Sequence, residues 1–366
     1  MSSSRRQWIR QSSLALAGLG FASELLAKEI KPFSPVTKQI LLNSNENAYG
    51  PSPMARKAML DAYVDSNRYP DDLVPGFKKK IAEHWNVGTE NILLGAGSSE
   101  IIGLATHHAS ANKGHVLVGE PAYKVWNGQA EAFGLSFNRI PLNEKRVHDL
   151  GKMLSAISSE TSMVYICNPN NPTGTVNDVN ELSAFAAEAS KKTMVFIDEA
   201  YTEYAQLPSL ADLATKNKNI IVAKTFSKIY GLAGARLGYA IAHPDTINKL
   251  SSYQPWPDSA ASVVSIAAAT ASLEDKNFVE QCRINAAKAR ELCYAFFNQL
   301  KLEYISSQTN FILFHIDAIQ KDFIKEMQAQ NIYVQFRPHF GGKWCRVSMG
   351  TVEEMRQFCT VLKTIS

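Results

Sequence analysis

The chain is 366 residues long, enough for two packed domains or one large one, and with 45% hydrophobic and 20% charged residues it is neither disordered nor fibrous. Its formal charge is +4, half of it carried by Arg5, Arg6 and Arg10 against Glu24, so no basic stripe is left for nucleic acid and no nucleic-acid partner is expected. The five cysteines, Cys167, Cys282, Cys293, Cys345 and Cys359, show no CxxC or metal spacing and read as buried thiols; no metal is expected.

The chain opens with a basic head, Ser3-Ser-Arg-Arg-Gln-Trp-Ile-Arg10, on a short apolar segment, Leu14 to Ala22. This looks like a twin-arginine export signal. The apolar stretch is shorter than the ~20 residues of a spanning helix, so residues 1–27 are set aside as a signal, with Ala27 the best cleavage point. The implied location is the periplasm, with membrane contact only through this signal.

Past a linker around Pro32 and Pro35, Leu41 to Pro53 is rich in turn formers and reads as an extended arm that lies on a surface or crosses to a partner. A helix is predicted over Met54 to Val64. After the turn Asn67-Arg-Tyr-Pro-Asp71 an amphipathic helix, Gly76 to Trp85, turns Phe77, Ile81 and Trp85 to one side.

From Ile92 strands and helices alternate, the pattern of a doubly wound, mainly parallel sheet. Strands are predicted at Ile92–Leu94, His115–Val118, Ser162–Cys167, Met194–Ile197, Ile220–Ala223 and Leu237–Ala242. Gly95-Ala-Gly-Ser-Ser99 opens a helix directly after a strand, which makes a phosphate cradle of free backbone N–H groups. Tyr123 stands beyond the next strand's carboxyl end. In Asn168-Pro-Asn-Asn-Pro-Thr-Gly174 two prolines fix a turn that presents amides, and the following helix, Asp178 to Lys191, turns Leu182, Phe185, Ala186 and Ala189 inward. Asp198 ends a run of four apolar residues and calls for a cationic partner, such as a pyridinium nitrogen. The loop Gln254-Pro-Trp-Pro-Asp258 breaks the alternation. A helix at Phe278–Gln299 and strands at Asn310–Ile316, Ile332–Gln335 and Trp344–Ser348 then suggest a smaller α+β domain.

Lys228 lies just past an apolar strand among small residues and hydroxyls, which suits a lysine with a depressed pKa that forms an imine with an aldehyde. Thr225, Ser227 and Arg236 offer two hydroxyls and a guanidinium for a phosphate. An aldehyde that carries a phosphate is pyridoxal phosphate.

Asn45-Glu-Asn-Ala-Tyr-Gly-Pro, Arg68-Tyr-Pro-Asp, Asn170-Asn-Pro-Thr-Gly, Ile197-Asp-Glu-Ala-Tyr, Thr225-Phe-Ser-Lys and Cys345-Arg-Val-Ser-Met-Gly occur in one order that resembles the fold-type I pyridoxal-phosphate aminotransferases, most of all the histidinol-phosphate aminotransferase branch. The resemblance runs from about Leu41 to the end. It implies an α/β fold, with an arm and part of the small domain at 28–75, a large cofactor-binding domain at 76–257 and a small domain at 258–366. It implies that Lys228 forms the internal aldimine and later moves a proton at the substrate α-carbon. Asp198 would keep the pyridine nitrogen protonated, Asn171 and Tyr201 would bond its 3-oxygen, and Tyr123 would stack on the ring. Gly97, Ser98, Thr225, Ser227 and Arg236 would hold the phosphate. Tyr69 would reach the neighbouring subunit's phosphate in a homodimer with shared active sites. Tyr49, Asn171, Arg337 and Arg346 would bind substrate, Arg346 as the fork for an anion.

The chain departs from the branch at Ala48, usually proline, and at Gln335, where the branch places a second arginine; Arg337 lies two residues on. The expected reaction is transfer of an amino group between an amino acid, or a histidinol-phosphate-like amine, and a 2-oxo acid. An ordinary amino acid with an apolar or aromatic side chain, lined by Trp256 and tyrosines, is the expected donor. A decarboxylase of the threonine-phosphate decarboxylase type and a non-catalytic cofactor-binding module remain the alternatives.

Overall fold

Among the described residues twelve strands sort into a seven-stranded and a five-stranded sheet. The large sheet contains β2 (Ile92–Gly95), β3 (His115–Glu120), β4 (Ser136–Pro141), β5 (Thr161–Cys167), β6 (Met194–Asp198), β7 (Ile220–Thr225) and β8 (Gly238–Ile241). Their order is β2-β8-β7-β6-β5-β3-β4. All neighbours are parallel except β8, which is antiparallel to both β7 and β2. This is the mainly parallel α/β sheet that the alternation predicts. The computed structural model describes residues 39–319 and 321–366, and Ile40–Ser366 form one compact unit. Residues 1–27, read as an export signal, lie outside the described residues.

β5, β7 and β8 are buried at every position, which is why they read as unbroken apolar runs. Alternation sends Val164, Ile166, Val195, Ile197 and Val222 into one core, and Met163, Tyr165, Phe196, Ile221 and Ala223 into the core on the other face. Each such aliphatic side chain contributes roughly 1.5–3 kcal/mol by leaving water. The helix Val179–Ala189 covers the first face with Leu182, Phe185, Ala186 and Ala189, as its spacing predicts, and the Asp178 carboxylate caps it by accepting from the Asn180 and Glu181 N–H groups. Edge strand β4 escaped the sequence reading because Ser136-Phe-Asn-Arg-Ile-Pro is mostly solvated and ends in proline.

The small sheet has the order β1-β11-β12-β10-β9, with β1 (Ile40–Leu42), β9 (Tyr304–Ile305), β10 (Phe311–His315), β11 (Ile332–His339) and β12 (Gly342–Ser348). The stretch from Leu41, read as an arm, begins as the edge strand of this sheet and keeps Leu41 and Tyr49 exposed. β1 pairs in parallel with β11, and the chain then runs inward, so that Leu42 and Asn45 are each only 1% exposed. β11 is longer than expected. It reaches His339 and turns into β12 through Phe340 and Gly341, both with positive φ, as a tight hairpin requires. The helices Lys276–Gln299 and Val352–Ile365 close this core with Cys293, Phe297, Phe358 and Leu362. All five cysteines are buried free thiols.

Candidate active site

β5, β6 and β7 end in line, with Cys167 opposite Asp198 and Asp198 opposite Ala223, so the residues that follow them meet at the carboxyl edge of the sheet. There a cavity of about 540 Å³ is lined by Ser98, Tyr123, Asn171, Asp198, Tyr201, Thr225, Ser227, Lys228, Arg236, Arg337 and Arg346. Residues from positions 98 to 346 are thus brought around one space.

Asp198 is 3% exposed. Its Oδ2 accepts the Tyr165 hydroxyl at 2.9 Å and its Oδ1 the Ala200 N–H at 3.1 Å, both neutral donors. Burial pushes its pKa up to about 6 against those two bonds, and Lys228 acts on it only through space. This is an anion that still lacks a bonded cation. Lys228, three residues past β7, is exposed only in part; its Nζ is 3.5 Å from the Ser44 carbonyl and 5.7 Å from the centre of the Tyr201 ring. Burial, with the Arg346 cation added to it, brings its pKa down to about 8.

The amide turn does what two bracketing prolines predict. Asn171 donates to the Tyr201 hydroxyl at 3.4 Å and accepts from Arg346 Nη1 at 2.7 Å. Arg346 also donates from Nη2 to the Asn43 carbonyl at 2.9 Å, while its buried Nε has no partner. Burial pulls the Arg346 pKa down and drives that of Tyr201 up. Asn45, which the sequence reading did not single out, donates to the Tyr201 hydroxyl at 3.0 Å and is itself fixed by Ser348 through bonds of 2.8 and 3.0 Å. Its only sequence signal was membership of the Asn45-Glu-Asn motif. Tyr165, equally unmarked, was legible only as a polar group inside an apolar strand.

Gly97 precedes the helix Ser98–Ser110 with φ +79° and no side-chain cap, which leaves the amide end of the helix open to the cavity. A Cβ on Gly97 would stand 2.8 Å from Arg236 Nη2, and one on Gly238 would stand 2.7 Å from the Gly97 carbonyl carbon and the Ser98 nitrogen. Only glycine lets these pieces close into a cradle. Arg236 is held by the Ala96 and Ala233 carbonyls at 3.0 Å each, and the Thr225 hydroxyl donates to Ser227 at 2.9 Å. The loop before Asp258 buttresses the cradle: Asp258 accepts the Leu94 N–H at 2.7 Å, and Gln254 donates to the Leu94 carbonyl at 2.9 Å.

Three expected residues stand apart from the cavity. Tyr69 is 79% exposed and meets Trp256 edge-on at 6.2 Å in a separate cleft of about 360 Å³. Trp256 thus lines the cleft of Tyr69 and not the cavity of its own protomer. Tyr49 is turned toward the backbone of Val352 and toward Cys282. The mouth of the cavity is instead cationic. Gln335, Arg337 and His339 share one face of β11, beside Lys124, and burial together with Lys124, Arg337 and Arg346 lowers the His339 pKa to about 4. Among the described residues no group of three or more His, Cys, Asp or Glu side chains is placed to hold a metal.

A buried carboxylate without a bonded cation, a lysine of lowered pKa and an open helix end that only glycine permits fit the ring nitrogen, the aldehyde and the phosphate of one molecule. Together with the strand order they define a fold-type I pyridoxal-phosphate enzyme. Residues 37–362 match the family model of aminotransferase class I and II. The chain is 33% identical to a histidinol-phosphate aminotransferase of Akkermansia muciniphila, over 92% of this chain and 94% of that protein. It is 34% identical to histidinol-phosphate aminotransferase 1 of Nitrosococcus oceani, over 89% and 88%. The crystal structure of histidinol-phosphate aminotransferase from Sinorhizobium meliloti in complex with pyridoxal-5'-phosphate superposes with a TM-score of 0.83 at 25% identity, covering 90% of this chain and 92% of that one. The chain belongs to the class I and II aminotransferases and is a pyridoxal-phosphate-dependent aminotransferase.

Proposed function

We propose that Lys228 bonds the cofactor aldehyde and carries the proton at the substrate α-carbon, and that the substrates enter as anions drawn in by the cationic mouth. Of the five cations that line the cavity, Lys228 and Arg236 are assigned to the cofactor, which leaves Lys124, Arg337 and Arg346 beside Glu46 for the substrate, and this cationic group is the observation that carries the substrate reading. Pyridoxal phosphate, when bound, supplies an electron sink for the pair left at the α-carbon.

The residues would act as follows. The lowered pKa of Lys228, about 8, raises the share of neutral amine that would accept and return a proton at the α-carbon. The Asp198 anion favours a protonated ring nitrogen. The Tyr201 oxygen accepts from Asn45 and Asn171, which leaves its own hydrogen for the 3-oxygen of the ring. Tyr123 covers a ring face, and Gly97, Ser98, Thr225, Ser227 and Arg236 hold the phosphate. Arg346, a cation on the cavity wall whose Nε has no partner in the protein, would take a carboxylate or phosphate oxygen of the substrate. A donor with a distal carboxylate or phosphate, or a histidinol-phosphate-like amine of the kind named in the relatives, would also meet Lys124 and Arg337.

A panel of anionic and neutral amino donors, run with and without 2-oxoglutarate, tests this. Turnover should require the acceptor and favour anionic donors, and Arg337→Ala should raise KM for them roughly tenfold while sparing neutral ones. Carbon dioxide released without an acceptor would instead establish the decarboxylase. Lys228→Ala should lose both turnover and the visible absorbance of the lysine-bound cofactor; a variant that keeps that absorbance refutes the role of Lys228.

The working molecule would be a homodimer in which Tyr69 reaches the partner's phosphate site, supported by the exposed apolar group Leu60, Tyr63, Val64 and Tyr69. Its place would be the periplasm, supported by Arg5-Arg6 ahead of the apolar segment. Among the described residues no helix is long and apolar enough to cross a membrane.

A further inference from the structure

Tyr165 is a fully buried phenol in the middle of β5, on the face of the sheet that carries Asp198 one pleat further along β6. Its ring is clamped between Trp126, at 4.9 Å, and Phe196, at 5.9 Å. A buried hydroxyl must find an acceptor, and this one finds Asp198 Oδ2 at 2.9 Å, although phenylalanine would fill the same space. The other oxygen, Oδ1, takes the Ala200 N–H, so the two bonds set the rotation of the carboxylate.

We infer that Tyr165 is a positioning residue, whose hydroxyl orients the Asp198 carboxylate and holds it as an anion toward the ring nitrogen of the cofactor. The inference rests on the proposed role of Asp198. The groups that face Asp198 are Tyr165 and Cys167 from β5, Tyr123 from beyond β3, Lys228 from beyond β7, and Glu199 and Tyr201 from its own chain. Burial and Glu199 oppose the anion, while Tyr165, the Ala200 N–H and Lys228 favour it. Without the phenol the carboxyl would hold its proton further into the neutral range, and a protonated Asp198 no longer favours a charged ring nitrogen. The effect must therefore depend on pH: loss of the phenol should matter near neutrality and fade where Asp198 ionises anyway.

The test is the dissociation constant of pyridoxal phosphate from the full-length protein, read by tryptophan fluorescence between pH 6.5 and 9. Tyr165→Phe should weaken binding about tenfold at pH 7 relative to the parent protein and about twofold or less at pH 9. The thermal midpoint of the apoprotein controls for packing. In an Asp198→Asn background the same substitution should change nothing further, because its effect passes through the carboxylate. Unchanged affinity in Tyr165→Phe, or a loss equal at every pH and additive with Asp198→Asn, overturns the inference. If Asp198→Asn alone leaves affinity unaltered, the role of Asp198 fails first, and that result is distinguishable from a failure of Tyr165 alone.

Discussion

Asp198 shows how a residue made for chemistry weighs on the stability of the protein that carries it. Its carboxyl binds a proton more tightly folded, at about 6, than unfolded, at 3.8, so between those values folding takes up a proton. The stability it contributes is present at low pH and is lost as pH rises through 6, which leaves a penalty of roughly 3 kcal/mol at neutrality. A cationic ring nitrogen would relieve that penalty. The apoprotein of Asp198→Asn is accordingly expected to be more stable than the parent at pH 7.5, by roughly 1–3 kcal/mol, with the gap closing toward pH 4. Urea unfolding at the two pH values checks this, and a variant less stable at pH 7.5 contradicts the reading.

At the scale of elements, the ends of β6 and β7 are pinned from behind. Glu199 follows Asp198 and Lys224 precedes Thr225, so alternation points them to the face opposite the site, where they form an ion pair of 2.8 Å with each side chain 1% exposed. Glu199 also accepts from Ser209 and the Leu210 N–H, and Lys224 donates to Thr202 and lies 4.0 Å over the Trp85 ring. Removing Lys224 strands the Glu199 charge, whereas Lys224 keeps Glu203 at 3.5 Å as a second partner. Lys224→Met alone should cost roughly 3–5 kcal/mol, Glu199→Gln less because Glu203 still faces Lys224, and the double variant clearly less than the sum of the two. Denaturant titration of the three variants decides it; singles that cost under about 1 kcal/mol would show that the pair pins nothing.

For the whole molecule, Tyr69 is 79% exposed in a cleft of its own with Trp256, apart from the cavity of its own protomer, and this sets the expectation of shared sites. Sedimentation should show a dimer, and Tyr69→Ala should weaken cofactor retention; a monomer with full cofactor affinity removes the shared site. If the cofactor is held by an imine, a cradle and a partner subunit, as proposed, it would be loaded only after folding, and the proposed export route would have to carry folded protein. Replacing Arg5 and Arg6 with lysine should leave an active enzyme in the cytoplasm, and full-length parent protein already found there would end the export reading.

The local periodicities were enough to determine the strand and helix alternation, the lysine after β7, the acid at the end of β6 and the glycine cradle. Each of these depends on burial of neighbours in the chain, and buried parallel strands write themselves as apolar runs. What the tertiary structure alone decided are pairings between residues far apart in the chain. Asn45 and Ser348 lie 303 residues apart, and no spacing along the chain says that they meet at Tyr201. Tyr165 looked like one more β-strand aromatic until register set it beside Asp198, and Leu41 to Pro53 looked like an arm because a single short edge strand has no signature without its partner β11. The place of Trp256 was hidden for the same reason: an exposed aromatic in a Pro-rich loop goes where the fold carries the loop, and here the Gln254 and Asp258 side chains anchor that loop on the Leu94 backbone, with Trp256 in the cleft beside Tyr69.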